Sequence, residues 1–471
     1  MKKKIKSDEM KDTIRKIEAI IEIVVLSVEY YFLWKYFYHS EHFPHYTESG
    51  KYILMFVYAV LVLIVFYLCD CFKFGHLKFT DIALGQLFSI LIVNTITYFN
   101  LCLIVARLIP VYPMIILSGM ELVICAGLCY FFTFIYHNVY PPQSMVMIYG
   151  TEKAVDLKFK MDQRDDKYSI NTIIRYDENI NKILEAIDRH DAVIINDVPA
   201  QVRNDILKYC FGKGKRTYAV PKISDIITRG AHDITLFDTP LLLVRNRGLS
   251  PAQRLVKRVF DIILSLIALV AASPVMLVTA IAIKAEDGGP VFYRQERVTI
   301  DGKRFNIMKF RSMIVDAEKQ GLSVPATGND PRITRVGRII RATRIDELPQ
   351  IINILMGQMS IVGPRPERTE HVLKYMQEVP EFGYRLKVKG GLTGYAQIFG
   401  KYNTSAYDKL RLDLVYIENY SLLLDLKLIF MTVRILFKKE STEGFDAREE
   451  LEKKRKEALT ERPEDNNENK D

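Results

Sequence analysis

Four apolar stretches open this chain, at Ile17–Tyr38, Tyr52–Leu68, Ile82–Ile109 and Met114–His137. As a helix, each can cross a hydrocarbon layer about 30 Å thick, although the second is short. They predict a four-helix membrane region over residues 1–140. Lysines crowd the N-terminus, His39–Gly50 has no Lys or Arg, and Lys73 and Lys78 mark the next loop. The positive-inside rule then places both ends of the bundle in the cytoplasm. Glu18, Glu22 and Glu29 share one face of the first stretch. They either point into the bundle or lie at the interface.

Polar domains must accompany the spans, because 49% of the 471 residues are hydrophobic while 26% are charged. The net charge of +9 suits anionic partners such as phosphates and lipid headgroups. No aromatic-basic module for nucleic acid is present. Five cysteines sit inside apolar runs and Cys210 is isolated, with no metal spacing and no disulfide framework. Met1–Lys16 reads as a lysine-rich leader to the first stretch, not as a cleaved signal peptide.

From Ser144 the period changes. β-rich runs at Met145–Tyr149, Thr172–Arg175, Ala192–Asn196 and Thr217–Val220 alternate with polar helical stretches. This predicts a parallel α/β sheet, a Rossmann-like middle domain over residues 141–248. The first strand runs into Gly150-Thr151-Glu152-Lys153, without the glycines that let a dinucleotide pyrophosphate approach. The Tyr209–Lys213 spacing found in short-chain dehydrogenases is attributed to chance for that reason. A nucleotide-sugar dehydratase or epimerase is disfavoured on the same ground. A scaffold or transporter built on the four spans is the other alternative.

A second kind of apolar run, Val259–Ile283, has Lys257 and Arg258 before it, Lys284 after it, and Ser273-Pro274 in its middle. Cations at both ends and a helix-breaking proline suit a hairpin that enters and leaves the same leaflet. A full span or a buried core helix also fits the length. Leu422–Phe437 reads as an amphipathic interfacial helix, and 438–471 as a charged, disordered tail.

Candidate chemistry clusters between these segments. Arg332, Arg335, Arg338, Arg341 and Arg344 recur at every third residue, an array that calls for anions. It leads into Asp346-Glu347 just before Pro349, where a new helix is expected to start. An ionised Asp among arginines can attack phosphorus, and a neighbouring carboxylate can hold Mg²⁺. A helix cap is the bland reading of the pair. Lys309 and Arg311 lie on one face of a predicted strand, and Arg365 stands between two prolines.

Several segments in order carry a resemblance: KRVFDIILSLIALVAASP, GGPVFYRQERV, FNIMKFRSM, TRIDELPQIINILMGQMSIVGPRPE, KGGLTGYAQI and DLVYIENYSLLLDLKLI, between Lys257 and Thr432. They resemble the catalytic domain of the bacterial sugar transferase family, the monotopic phosphoglycosyl transferases. With the spans and middle domain, the chain is similar to the large membrane-bound form that primes capsule and exopolysaccharide synthesis. The resemblance departs at Arg344, Gly390 and Tyr395, where the family often has Ser, Pro, and Trp or Leu.

What the resemblance implies is specific. The architecture would be a membrane α-helical bundle, an α/β middle domain and an α+β catalytic domain (249–437) with a re-entrant helix at 259–283, broken at Ser273-Pro274. Asp346 would be the covalent nucleophile and Glu347 its partner, with Mg²⁺ on the pair. Lys309, Arg311, Arg341 and Arg365 would hold phosphates or the nucleotide, and Gln397 and Asp413 would lie near the site. A UDP-sugar would donate a sugar-1-phosphate to polyprenyl (undecaprenyl) phosphate. The location would be the bacterial inner membrane, with catalysis on its cytoplasmic face. A homo-oligomer is left open.

Overall fold

In a computed structural model describing residues 2–38, 48–151, 153–245, 248–315, 330–400 and 404–436, the chain divides into two units, 1–220 and 221–471. The expected tail at 438–471 lies outside the described residues.

The first unit opens with helices Lys2–Leu33, Glu48–Leu68, Phe79–Val105 and Tyr112–Val139. Among the described helices, the last three are long and apolar enough to cross a membrane, and the fourth that qualifies is Pro251–Asp287. The first helix does not qualify. It carries Lys11, Asp12, Arg15, Lys16, Glu18 and Glu22 along its length, and each charge is costly in hydrocarbon. Its glutamates settle the choice left open by sequence: Glu18 and Glu22 are buried inside the bundle. Gln86 donates to Glu22 (2.5 Å), and Asn94 donates to Glu121 (2.7 Å) and to Ser118 (2.9 Å). Tyr58 donates to both Asn94 and Glu121.

Four parallel strands follow, in the spatial order Tyr168–Arg175, Gln143–Tyr149, Ala192–Asn196, Arg216–Ala219. Val146, Ile148, Val193 and Ile195 pack on one face of the sheet; Met145, Met147 and Ile194 pack on the other. Burial on both faces explains why these runs are continuously apolar. Gly150 has a structural reason: a Cβ there would meet the Asp197 carbonyl oxygen at 2.0 Å.

The sequence boundary at 248 and the division at 220 differ. Ile223 and Ile226 are buried against Leu410, Leu414 and Ile417, so the segment after Val220 packs with the second unit. The antiparallel hairpin His232–Leu236/Thr239–Leu243 belongs to that unit too.

In the second unit, Pro251–Asp287 is one helix with Pro274 inside it. Ser250 and Gln253 cap its start reciprocally. Pro274 cannot donate to the carbonyl of Val270 four residues earlier. The Ser273 hydroxyl takes that carbonyl instead, at 2.8 Å. Both ends of the helix are tied to the same body. Near the start, Lys257 pairs with Asp425 at 2.5 Å, with both side chains buried. Arg258 donates to the carbonyls of Ile354 and Leu355, and Asp261 accepts from Ser360 and from the Ile361 N–H. At the far end Ile283 packs against Phe310 and Ile340, and Glu286 accepts from the Arg335 N–H. Lys257 and Arg258, read from sequence as cations flanking the apolar run, are also bonded into the second unit.

The helix Leu422–Leu436 also differs from a simple interfacial one. Asp425 and Arg434 are buried while Leu423 is exposed, so its charges face the protein. Tyr416 donates to Asp425 at 2.8 Å, which completes a buried Lys257–Asp425–Tyr416 group.

Candidate active site

The site grows from one strand and one short turn. Strand Arg304–Phe310 pairs antiparallel with Phe292–Val298. Phe305 and Ile307 are buried against Ile354 and Met359. Lys309, two residues on, shares their side of the strand. Its ammonium reaches Glu347 at 2.9 Å.

Glu347 stands in a single 3₁₀ turn, Ile345–Glu347, between helices Arg335–Ala342 and Gln350–Leu355. The expected helix start at the acidic pair is thus displaced: Pro349 caps the second helix and the pair lies one turn earlier. Arg344 forms the junction with φ 58°, a left-handed conformation costly for a residue with a Cβ. That kink also breaks the arginine series. Only Arg335, Arg338 and Arg341 are on the helix, while Arg332 is bonded to Asp330.

Three cations converge on Glu347: Lys309 at 2.9 Å, Arg365 at 2.8 Å and Arg344 at 3.9 Å. Burial works to push its carboxyl up, but Arg365 and Lys309 outweigh it and hold the group well below the carboxylate range. Arg365 is raised in return by Glu347. Burial lowers Lys309 despite that neighbour.

Asp346 has a different setting. Among the described residues no hydrogen bond reaches its carboxylate. Burial pushes it above the usual Asp value, with Glu347 adding to the effect and Lys309, Arg341 and Arg344 opposing it. Arg341 therefore acts here through its charge. The pair is thus divided into an anchored carboxylate and an unengaged one.

The remaining expected residues take other positions. Arg311 is buried and bonded to Asp287, at the end of the long helix. Its Nε and Nη1 have no partner among the described residues. A Cβ at Gly289 would come within 2.0 Å of Nη1, so glycine leaves room for this guanidinium. Asp413 is buried on Arg385 (2.8 Å), and Arg385 donates to the Arg365 carbonyl (3.0 Å). Asp413 thus supports Arg365 at one remove. Gln397 donates to the Leu392 carbonyl of its own turn at 3.1 Å. Sequence reasoning missed Asp287, Arg385 and Asp425. Arg385 and Asp425 lie far along the chain from the residues they hold, and no spacing marks them.

Described residues contain no group of three or more His, Cys, Asp or Glu side chains suited to a metal. Mg²⁺ often uses only one or two carboxylates, with substrate phosphates and water completing its shell. Both hydrogen bonds to Glu347 fall on Oε1. Oε2 and the Asp346 carboxylate are thus left without a hydrogen bond among the described residues and are hard oxygen ligands of the kind Mg²⁺ takes.

A long apolar helix is thus tied at both ends to a body in which three cations surround one member of an acidic pair. Residues 252–439 match the family described as bacterial sugar transferase. The chain is 38% identical over 259 residues to a UDP-glucose:undecaprenyl-phosphate glucose-1-phosphate transferase of Klebsiella pneumoniae, covering 54% of each. It is 43% identical over 202 residues to a UDP-N-acetylgalactosamine-undecaprenyl-phosphate N-acetylgalactosaminephosphotransferase of Aeromonas hydrophila, covering 42% of this chain and 46% of that one. With a UDP-glucose:undecaprenyl-phosphate glucose-1-phosphate transferase of Caulobacter vibrioides it shares 41% identity over 202 residues, covering 41% of this chain and 75% of that one. The chain belongs to the bacterial sugar transferase family. It spans about half the length of the first two of these relatives.

Proposed function

We propose that this protein transfers a sugar-1-phosphate from a UDP-sugar to polyprenyl phosphate and releases UMP. The observation that carries the reading is the asymmetry of the pair: Glu347 is fixed by Lys309 and Arg365, while adjacent Asp346 is left unengaged. Asp346 attacks the phosphorus next to the sugar. The new Asp–O–P bond replaces the bridging P–O bond, whose electron pair leaves with UMP. A phosphate oxygen of the polyprenyl carrier then attacks the same phosphorus. That step breaks the aspartyl bond, restores the carboxylate and yields a polyprenyl diphosphosugar.

Lys309, Arg341, Arg344 and Arg365 offset charge on the transferring group, in an environment where such charges act strongly. Mg²⁺, held by Asp346 and Glu347 Oε2, would neutralise donor phosphates. Asp413 and Arg385 position Arg365, and Asp287 positions Arg311.

The hairpin reading of 259–283 supplies the meeting place for a soluble donor and a lipid acceptor. Its support is that Asp261 and Ile283 bind one body, whereas a straight helix would separate them by roughly 33 Å. Pro274, with Ser273 on the Val270 carbonyl, is where this otherwise continuous helix would bend. The catalytic unit then lies on the cytoplasmic face of the inner membrane and performs the first membrane step of a surface polysaccharide. The relatives carry different sugars in their names, so the donor is identified by assay. A UDP-sugar panel with polyprenyl phosphate should release UMP for the true donor. Release of UDP would mean attack at the sugar carbon and would overturn the proposed reaction.

A further inference from the structure

The Phe292–Val298/Arg304–Phe310 hairpin has a second face. Lys309 leaves one side toward Glu347, and its chain neighbour Met308 leaves the other. Met308 and its cross-strand partner Arg294 line a cavity of about 750 Å³ there, with Lys303, Arg304, Met356 and Lys389 among its walls. No Asp or Glu lines it. Arg294, Lys303 and Lys389 have no carboxylate partner among the described residues. Arg304 has Glu296 at 3.5 Å, but both are exposed, and exposed pairs contribute little.

The position of the cavity suggests what fills it. A Cβ at wall residue Gly357 would lie 3.4 Å from Arg258 of the long apolar helix. Burial lowers Lys389, and Arg258, Lys257 and Lys303 lower it further while Asp261 opposes them. Cations from three segments therefore crowd together beside the helix. On that helix Leu255 (66%), Val256 (50%) and Val259 (48%) are exposed, an apolar surface suited to lipid. Uncompensated cations beside Met308, Met356 and Ile300 suit a phosphate attached to an apolar body.

We propose that this cavity binds the phosphate headgroup of an anionic bilayer phospholipid. The headgroup neutralises Arg294, Lys303, Arg304 and Lys389. It holds against the membrane the hairpin that presents Lys309 to the acidic pair. Lys309, Asp346, Glu347 and Arg365 are not among its lining residues, which sets it apart from the transfer site.

Hydrogen exchange of residues 299–306 tests this without using transfer activity, so its outcome is separable from that of the proposed reaction. The full chain is placed in nanodiscs of phosphatidylcholine alone, or with phosphatidylglycerol added. Exchange should slow about tenfold with phosphatidylglycerol, as expected for a ligand near ten times its Kd. The exposed pair Lys303→Glu/Arg304→Glu should abolish the effect. Lys374→Glu, an exposed charge reversal outside the cavity, should keep it. Equal exchange in both lipids would overturn the proposal, and so would protection that survives the paired reversal. Protection by soluble UMP in phosphatidylcholine discs would also overturn it, by making the cavity a nucleotide site.

Discussion

Buried carboxylates occur in both units, but in different company. In the N-terminal bundle, Glu22 and Glu121 are met by Gln86, Asn94 and Tyr58, all neutral donors. In the second unit Glu347 meets Lys309 and Arg365, Asp413 meets Arg385, and Asp425 meets Lys257. Neutral donors can fix the packing of helices, yet they cannot balance a full charge in an apolar setting. Paired cations can, and Glu347, Asp413 and Asp425 each have one in the second unit. The contrast is why the proposed phosphate chemistry is placed in that unit and not in the bundle.

Substitutions can break this contrast, and the largest effect should come from Asp346, the unengaged member of the acidic pair. Asp346→Asn removes the proposed nucleophile, and UMP release should fall by several orders of magnitude. Glu347→Gln keeps the nucleophile but loosens Lys309 and Arg365. Release should fall less, by about 10²–10³-fold, the scale of one electrostatic contact. Retained turnover in Glu347→Gln would show that the cation cage is not needed.

A structural pair gives the next effect. Asp425→Ala strands the buried Lys257 ammonium. It should cost about 3–5 kcal/mol of stability, read as a lowered unfolding midpoint in detergent. The smallest effect belongs to the bundle. Glu121→Gln preserves shape and a hydrogen-bonding group, so stability should change by about 1 kcal/mol or less and UMP release should stay near wild type. A severe loss of transfer there would erase the contrast between the units.

Much of the plan could be read from the chain because it rests on local signals. Alternation of apolar runs and polar helices marked the parallel strands, and Asp346-Glu347 next to an arginine series marked the candidate site. Lys309 and Arg365 were read as cations aimed at anions, but their meeting on Glu347 was not visible. Three things resisted reading. Arg344 adopts a positive φ that divides the arginine series, and no residue preference announces this. Lys257 and Asp425 pair across 168 positions, so Lys257 looked like a membrane-flanking charge. Arg311 turned to Asp287, because it lies one residue past the strand end, where the face alternation no longer governs direction. In each case tertiary contacts decided the outcome.

Intact-mass analysis of the full chain incubated with its donor alone tests the central claim most directly. Wild type should gain the mass of one phosphosugar, and peptide mapping should place it on Asp346. The adduct should be lost on adding polyprenyl phosphate and be absent from Asp346→Asn. The same adduct on Asp346→Asn, or turnover with no adduct at any time, would contradict covalent transfer through this aspartate.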